Sequence, residues 1–311
     1  MTKIRSTDKS HIDDRRGQRS SGGGLGFPFP GMSGGSGGGL PGGFPSGLKA
    51  GGGLLGIIVV LAAMFLPKLL GAGTGTSSQA ADVAGGSSSQ SDSCVTELEQ
   101  IVCGVTNDVQ LYWTEALPRY FGTDYQVTET VWFTEGVTTG CGQASSQTGP
   151  FYCPADYLVY IDLGFMQQLE EQLIGQTSDL AEQYILAHEY GHHVQNLLGT
   201  NAQVQRAQQN DPGRANQYSV ALELQADCYA GAWLRYASGS ADSIISEVTQ
   251  DDLDRAVNAA EVVGDDQIQH MQAGRVDPSQ WTHGSSQMRK EWLAQGFNSG
   301  DPNTCNTFAA D

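Results

Sequence analysis

The segment Ala187-His188-Glu189-Tyr190-Gly191-His192-His193 constrains this chain more than any other. Residues four apart on an α-helix lie one turn apart on the same face, so His188 and His192 can offer two imidazoles to one metal ion. Glu189 is rotated by about 100° from His188 around such a helix. That places it poorly as a third ligand and well as a carboxylate beside the ion. Two neutral imidazoles with an adjacent carboxylate are what a hydrolytic zinc site requires. Leu180, Tyr184, Ile185 and Ala187 precede the motif and Val194, Leu197 and Leu198 follow it, which gives the helix an apolar body over about Ser178–Leu198. Gly199 then supplies a stop signal.

A hydrolytic zinc uses three protein ligands and keeps one position open. Glu223 is the best third candidate. It lies on a helix predicted over Tyr218–Ala237, whose apolar face includes Val220, Leu222, Tyr229, Ala230 and Trp233. Asp227 sits one turn further along that face and is placed to accept the free ring N–H of a ligand histidine. His193 adjoins His192 but points about 100° away on the helix, so it is expected to pack elsewhere.

Charge divides the chain. Residues 1–50 carry Lys3, Arg5, Lys9, Arg15, Arg16, Arg19 and Lys49 against Asp8, Asp13 and Asp14, whereas beyond residue 73 eight Lys or Arg face 31 Asp or Glu. So acidic a domain is not a general nucleic-acid binder, because the phosphate backbone must be neutralised by cations. Between the halves runs the uncharged GGGLLGIIVVLAAMFL of residues 51–66. Snorkelling by Lys68 extends it to about Gly73, long enough to be read as one membrane span. The cations that precede it predict a cytoplasmic N-terminus and an exported remainder. Residues 1–50, rich in Gly, are expected to be a disordered cytoplasmic tail, and residues 74–92 a Gly/Ser linker.

All six cysteines follow the span, which suggests disulfides in an oxidising compartment. Cys141 with Cys153 would close a short loop and Cys228 with Cys305 would pin the C-terminal tail. That leaves Cys94 with Cys103, which can bridge only if the first helix begins after Cys94.

Residues 93–311 read as one α+β domain, mostly helical with a small sheet. An amphipathic helix runs from Leu98 to Leu117 and ends before Pro118. Tyr125–Thr134 and Tyr157–Asp162 have strand character, and a loop joins them. Gly164–Leu173, Gln250–Val263 and Ser286–Phe297 are expected to be helical, and Asn201–Asn216 a polar surface loop or frayed helix.

HEYGHH followed by ELQADCYAG resembles the putative neutral zinc metallopeptidases, membrane-anchored bacterial proteins of the zincin type. Further matching segments are Asp14-Arg15-Arg16-Gly17, GPFYCPAD (149–156), Tyr160-Ile161-Asp162-Leu163, HHVQNLLGT (192–200), GDD (264–266) and THGSS (282–286). The resemblance implies a zincin-like fold, one zinc ion held by His188, His192 and Glu223, Glu189 as catalytic base, and a peptide or protein substrate. Cys94 and Cys103 are less clearly part of that pattern.

The oxyanion of amide hydrolysis needs a donor besides the metal. His283 is the first candidate and Tyr190 the second, while a cap for the following helix is the alternative role for His283. By analogy with zincins, the strand 157–162 is the edge on which an extended peptide would pair. A zinc hydrolase of cell-wall amides and a non-catalytic, metal-stabilised membrane scaffold are the competing readings. The presence of Glu189 argues against the scaffold, since a structural zinc needs no base and usually has four protein ligands.

Overall fold

The computed structural model describes residues 6–17, 93–169, 179–239, 265–266 and 276–308. The described elements are β1 (Ile12–Asp14), α1 (Glu97–Phe121), β2 (Thr130–Trp132), β3 (Gly136–Thr139), β4 (Gly142–Ser145), β5 (Phe151–Cys153), β6 (Leu158–Ile161), α2 (Leu163–Leu169), α3 (Asp179–Leu197), α4 (Thr200–Asn210), α5 (Ala215–Ala237) and α6 (Ser286–Ser299). The architecture is α+β and mostly helical, as the sequence suggests.

Helix α1 begins with a capping box. Thr96 accepts from the Glu99 amide while the Glu99 carboxylate accepts from the Thr96 amide, so two amide donors of the first turn are satisfied at once. The helix does not stop before Pro118. It continues to Phe121 and closes on Gly122, whose φ of 66° is left-handed. Proline removes one donor, but this close to the end the lost bond is a single one, and Gly122 N–H bonds the Pro118 carbonyl. Because α1 starts after Cys94, Cys94 and Cys103 can bridge, with Cα atoms 6.1 Å apart. Cys141–Cys153 and Cys228–Cys305 are also joined.

The four-stranded sheet has the order β1-β2-β6-β5, with β1, β2 and β6 parallel and β5 antiparallel to β6. Alternation along the strands decides which side chains meet which layer. Trp132, Val159 and Ile161 face the main core with Val105, Val109, Trp113, Tyr190 and Trp233. Val131 and Tyr160 face a second cluster with Phe133, Val137 and Cys153, beneath the hairpin β3–β4. The central strands are therefore covered on both sides, the usual situation of parallel pairs.

Several expectations are corrected. Only Thr130–Trp132 of the stretch 125–134 is a strand, and the loop that follows contains the β3–β4 hairpin and β5. Strand β6 is internal, so it is not the edge on which a peptide could pair. Residues 200–210 form a regular helix. The disorder expected over residues 1–50 is contradicted at residues 12–14, which pair with β2 as Ile12↔Thr130, Asp13↔Val131 and Asp14↔Trp132. The span expected at 51–73, the linker at 74–92 and the helix at 250–263 lie outside the described residues. Among the described residues, no helix is long and apolar enough to cross a membrane.

Candidate metal centre

Helices α3 and α5 approach each other at Gly191. A Cβ there would stand 3.1 Å from the Cα and carbonyl oxygen of Ala226, so the glycine between the two histidines lets the helix carrying Glu223 come close. His188, His192 and Glu223 consequently meet. One donor atom from each lies within 4.8 Å of the others. His188 Nε2 is 3.2 Å from Glu223 Oε2 and His192 Nε2 is 3.5 Å from Glu223 Oε1. The two rings cross at 87°, with centroids 4.7 Å apart.

The outer nitrogens fix the rings. His188 Nδ1 lies 2.7 Å from Asp227 Oδ1 and His192 Nδ1 lies 2.8 Å from Gln195 Oε1. Both partners are acceptors, so each Nδ1 carries a proton and, in the neutral ring, each Nε2 is a bare lone pair aimed at the Glu223 carboxylate. Gln195 is held in turn, its amide donating to the Leu222 carbonyl at 2.7 Å and to Gln225 Oε1 at 3.1 Å. Two lone pairs and a carboxylate converging in a buried space could hold a cation, and this donor set suits zinc. The cluster has three members among the described residues, and all six cysteines are bonded to each other. Three ligands rather than four is the pattern of a catalytic site.

The charges agree with this. Burial opposes protonation of His188, but Asp227 and Glu223 outweigh it and raise its pKa to about 10. Burial would raise Glu223, yet His192 and His188 hold it well below the carboxylate range. The acidic groups around the rings therefore favour positive charge at this position, which a bound cation would supply. Glu189, buried between the two histidines in sequence, is shifted upward, chiefly by desolvation and also by Glu223; His188, His192 and the Tyr152 backbone N–H work against the shift. A carboxylate raised in this way is a stronger base than a solvated one.

Asp227 is fully buried and carries more than the sequence indicates. Arg289 of α6 donates to it through Nε at 2.9 Å and through a terminal nitrogen at 2.9 Å, and the Tyr184 hydroxyl donates to the same Oδ1 that receives His188. Burial would raise Asp227, but Arg289 and His188 bring it down to about 2. Arg289 thus orients His188 at one remove. The sequence signal for it was a buried acid on α5 that needs a counter-charge, in a domain with few cations from which to choose.

His283 sits beside this cluster. Asp265 Oδ2 accepts the backbone N–H groups of Thr282, His283 and Gly284 at 2.6, 2.6 and 3.0 Å, and its other oxygen lies 3.1 Å from His283 Nδ1. The loop rests on α5. At Gly284, with φ +89°, an added Cβ would press on Val220 and Leu224 at 3.2 and 3.3 Å. That packing against Val220 and Leu224, which flank Glu223 on α5, sets His283 beside Glu223 with its Nδ1 engaged by Asp265. It is not the helix cap, since Ser285 accepts from Met288 N–H at the start of α6. Tyr190 is not at the site. Its hydroxyl bonds Thr130 Oγ1 at 2.9 Å in the core. His193, as expected, packs elsewhere, against Tyr152 OH at 3.1 Å and the Gln126 carbonyl at 2.6 Å.

A family model described as "Putative neutral zinc metallopeptidase" matches residues 3–308. An uncharacterized protein of Mycobacterium tuberculosis is 44% identical over 214 residues, covering 67% of this chain and 70% of its own. The uncharacterized protein YpfJ of Escherichia coli is 39% identical over 306 residues, 97% of this chain and 96% of its own. No solved structure matches the chain.

Proposed function

Since the chain belongs to the putative neutral zinc metallopeptidase family, we propose that it is a zinc-dependent peptidase acting on peptide or protein substrates outside the cytoplasm. The observation that supports this best is the meeting of His188, His192 and Glu223, with both outer histidine nitrogens tied down. In this reading the three residues hold the ion. When bound there, zinc supplies Lewis acidity for a scissile carbonyl and for water.

Glu189 is the general base. It takes the proton from the attacking water and returns it to the leaving amine. Its raised pKa, which follows chiefly from burial, makes it a better base than a solvated carboxylate. His283 donates to the developing oxyanion through Nε2 in its doubly protonated form, with its Nδ1–H donating to Asp265. Strand β5 is bonded to β6 on one side, and the backbone of its Tyr152 lowers the Glu189 carboxyl pKa against the effect of burial. An extended peptide pairing along β5 would bring its carbonyls to the base.

Three disulfides support an oxidising compartment, and the apolar run 51–66 supports association with a membrane. The test is Glu189→Gln, assayed on protein substrates and on cell-wall amides beside the unaltered chain. Zinc content should persist while hydrolysis falls by about two to four orders of magnitude. Undiminished hydrolysis in the variant removes Glu189 as base. Cleavage by the unaltered chain confined to cell-wall amides removes the peptidase assignment.

A further inference from the structure

The N-terminal strand bears on how the chain meets a membrane. Residues 6–17 are tied to the domain along their whole length. Ser6 N–H donates to the Gln100 carbonyl at 3.0 Å, Asn107 Nδ2 donates to the Asp8 carbonyl at 3.0 Å, Thr130 N–H to the His11 carbonyl at 2.9 Å, and Arg15 N–H to the Trp132 carbonyl at 2.9 Å. The side chains continue the pattern. Arg16 pairs with Asp14 at 2.6 Å and with Glu99 of α1, and its guanidinium lies 4.7 Å over the Trp132 ring. Ser93 Oγ donates to Asp14 Oδ2 at 2.9 Å.

Apart from Asp14, the partners just named all belong to residues 93–132. Asp14 and Glu99 each expose only 7% of their side chains. Without residues 6–17, Glu99 would lose its cation, and the edge of β2 would bare Thr130 N–H and the Trp132 carbonyl beside a fully buried tryptophan.

These contacts are incompatible with a single crossing of a membrane between Gly17 and Ser93. A hydrocarbon layer is about 30 Å thick, whereas a hydrogen bond spans about 3 Å. The bias of positive charge that predicts a cytoplasmic N-terminus counts Arg15 and Arg16, yet the fold places Arg15 on Asp13 and Arg16 on Asp14 and Glu99.

We propose that residues 6–17 are the permanent edge strand of the folded domain and lie on the same side of the membrane as residues 93–308. The 75 residues from 18 to 92 then begin and end on the same side of the membrane. The proposal is independent of the metal chemistry.

Because all six native cysteines are paired, a single added cysteine is the only thiol. Ser10→Cys and Ala202→Cys, both at exposed positions, are made separately in the full chain and treated with a membrane-impermeant maleimide, in spheroplasts and after permeabilisation. Labelling of both in intact spheroplasts, at rates within about two-fold, is the expected result. If both label only after permeabilisation, the strand is still on the domain's side, and what fails is the extracytoplasmic placement. If one labels in intact spheroplasts and the other only after permeabilisation, the proposal is overturned.

Docking itself is read by hydrogen exchange on the purified full chain. The Arg15 amide should be protected about tenfold or more over an unstructured amide. Glu99→Gln can keep the capping box but removes the partner of Arg16, so it should lower that protection several-fold while leaving β6 unchanged. An Arg15 amide exchanging at the unstructured rate in the unaltered chain overturns docking.

Discussion

The helical half around α3, α5 and α6 and the sheet half around β1, β2, β5 and β6 are held together in opposite ways. In the helical half, charge is buried and must be matched. Asp227 is fully enclosed and satisfied by Arg289, Tyr184 and His188, and α5 and α6 touch backbone to backbone. In the sheet half, strands of three or four residues are supplied by segments distant in sequence, and the ion pairs of its outer edge are partly wet. A network of buried charge is intolerant of any single loss, whereas an edge strand shares its contribution among many small contacts. Matched buried charge is thus concentrated around His188, His192 and Glu223.

This contrast predicts a ranking. Arg289→Met leaves Asp227 buried without its cation and should cost about 3–5 kcal/mol in urea unfolding, and zinc affinity should fall by about 10- to 100-fold because His188 loses its fixed acceptor geometry. Arg289→Lys should recover part of both. A cost within error of zero would show that the buried network is not what holds the helical half.

Gly296→Ala comes next. A Cβ there would lie 1.9 Å from the Cys228 carbonyl oxygen, so α6 must move off α5 and stability should drop by about 2–3 kcal/mol. An unchanged melting curve would deny the close backbone packing.

Asp265→Asn should cost about 1–2 kcal/mol near neutrality, with a pH dependence of defined sign. Burial would raise Asp265, but His283 and the loop amides hold its pKa below the ordinary value. A depressed carboxylate stabilises the fold fully above about pH 4 and loses that contribution as the pH falls through its folded value. The stability gap between the unaltered chain and Asp265→Asn should therefore narrow on acidification, and a gap that widens reverses the assignment.

Arg16→Ala, on the wet edge of the sheet, should cost only about 1 kcal/mol by chemical denaturation. A loss as large as that of Arg289→Met would erase the contrast between the halves.

The same contrast explains what the sequence disclosed. His188, Glu189 and His192 share one helix, so their geometry follows from the helical period alone. Glu223 required only a second helix with an apolar face and an acid on it. The disulfides followed from their confinement to one part of the chain and from where α1 could start. By comparison, β1 and β5 are three residues each, too short to show alternation, and Ile12 of β1 is recruited across 118 positions of chain to Thr130. Its content, Ile12-Asp13-Asp14, looks like part of a solvated tail until Arg16 is seen between Asp14 and Glu99. Arg289 was silent for a similar reason. Nothing on its own helix marks it, and its role appears only once Asp227 is known to be buried 62 positions away.

The most direct test of the central claim, that two helices bring His188, His192 and Glu223 onto one ion, is the zinc-to-protein ratio of the purified chain and of Glu223→Ala, with folding checked by circular dichroism. One zinc per chain is expected for the unaltered protein, with a folded Glu223→Ala that retains much less. A folded Glu223→Ala with undiminished zinc would remove Glu223 from the site and contradict the account.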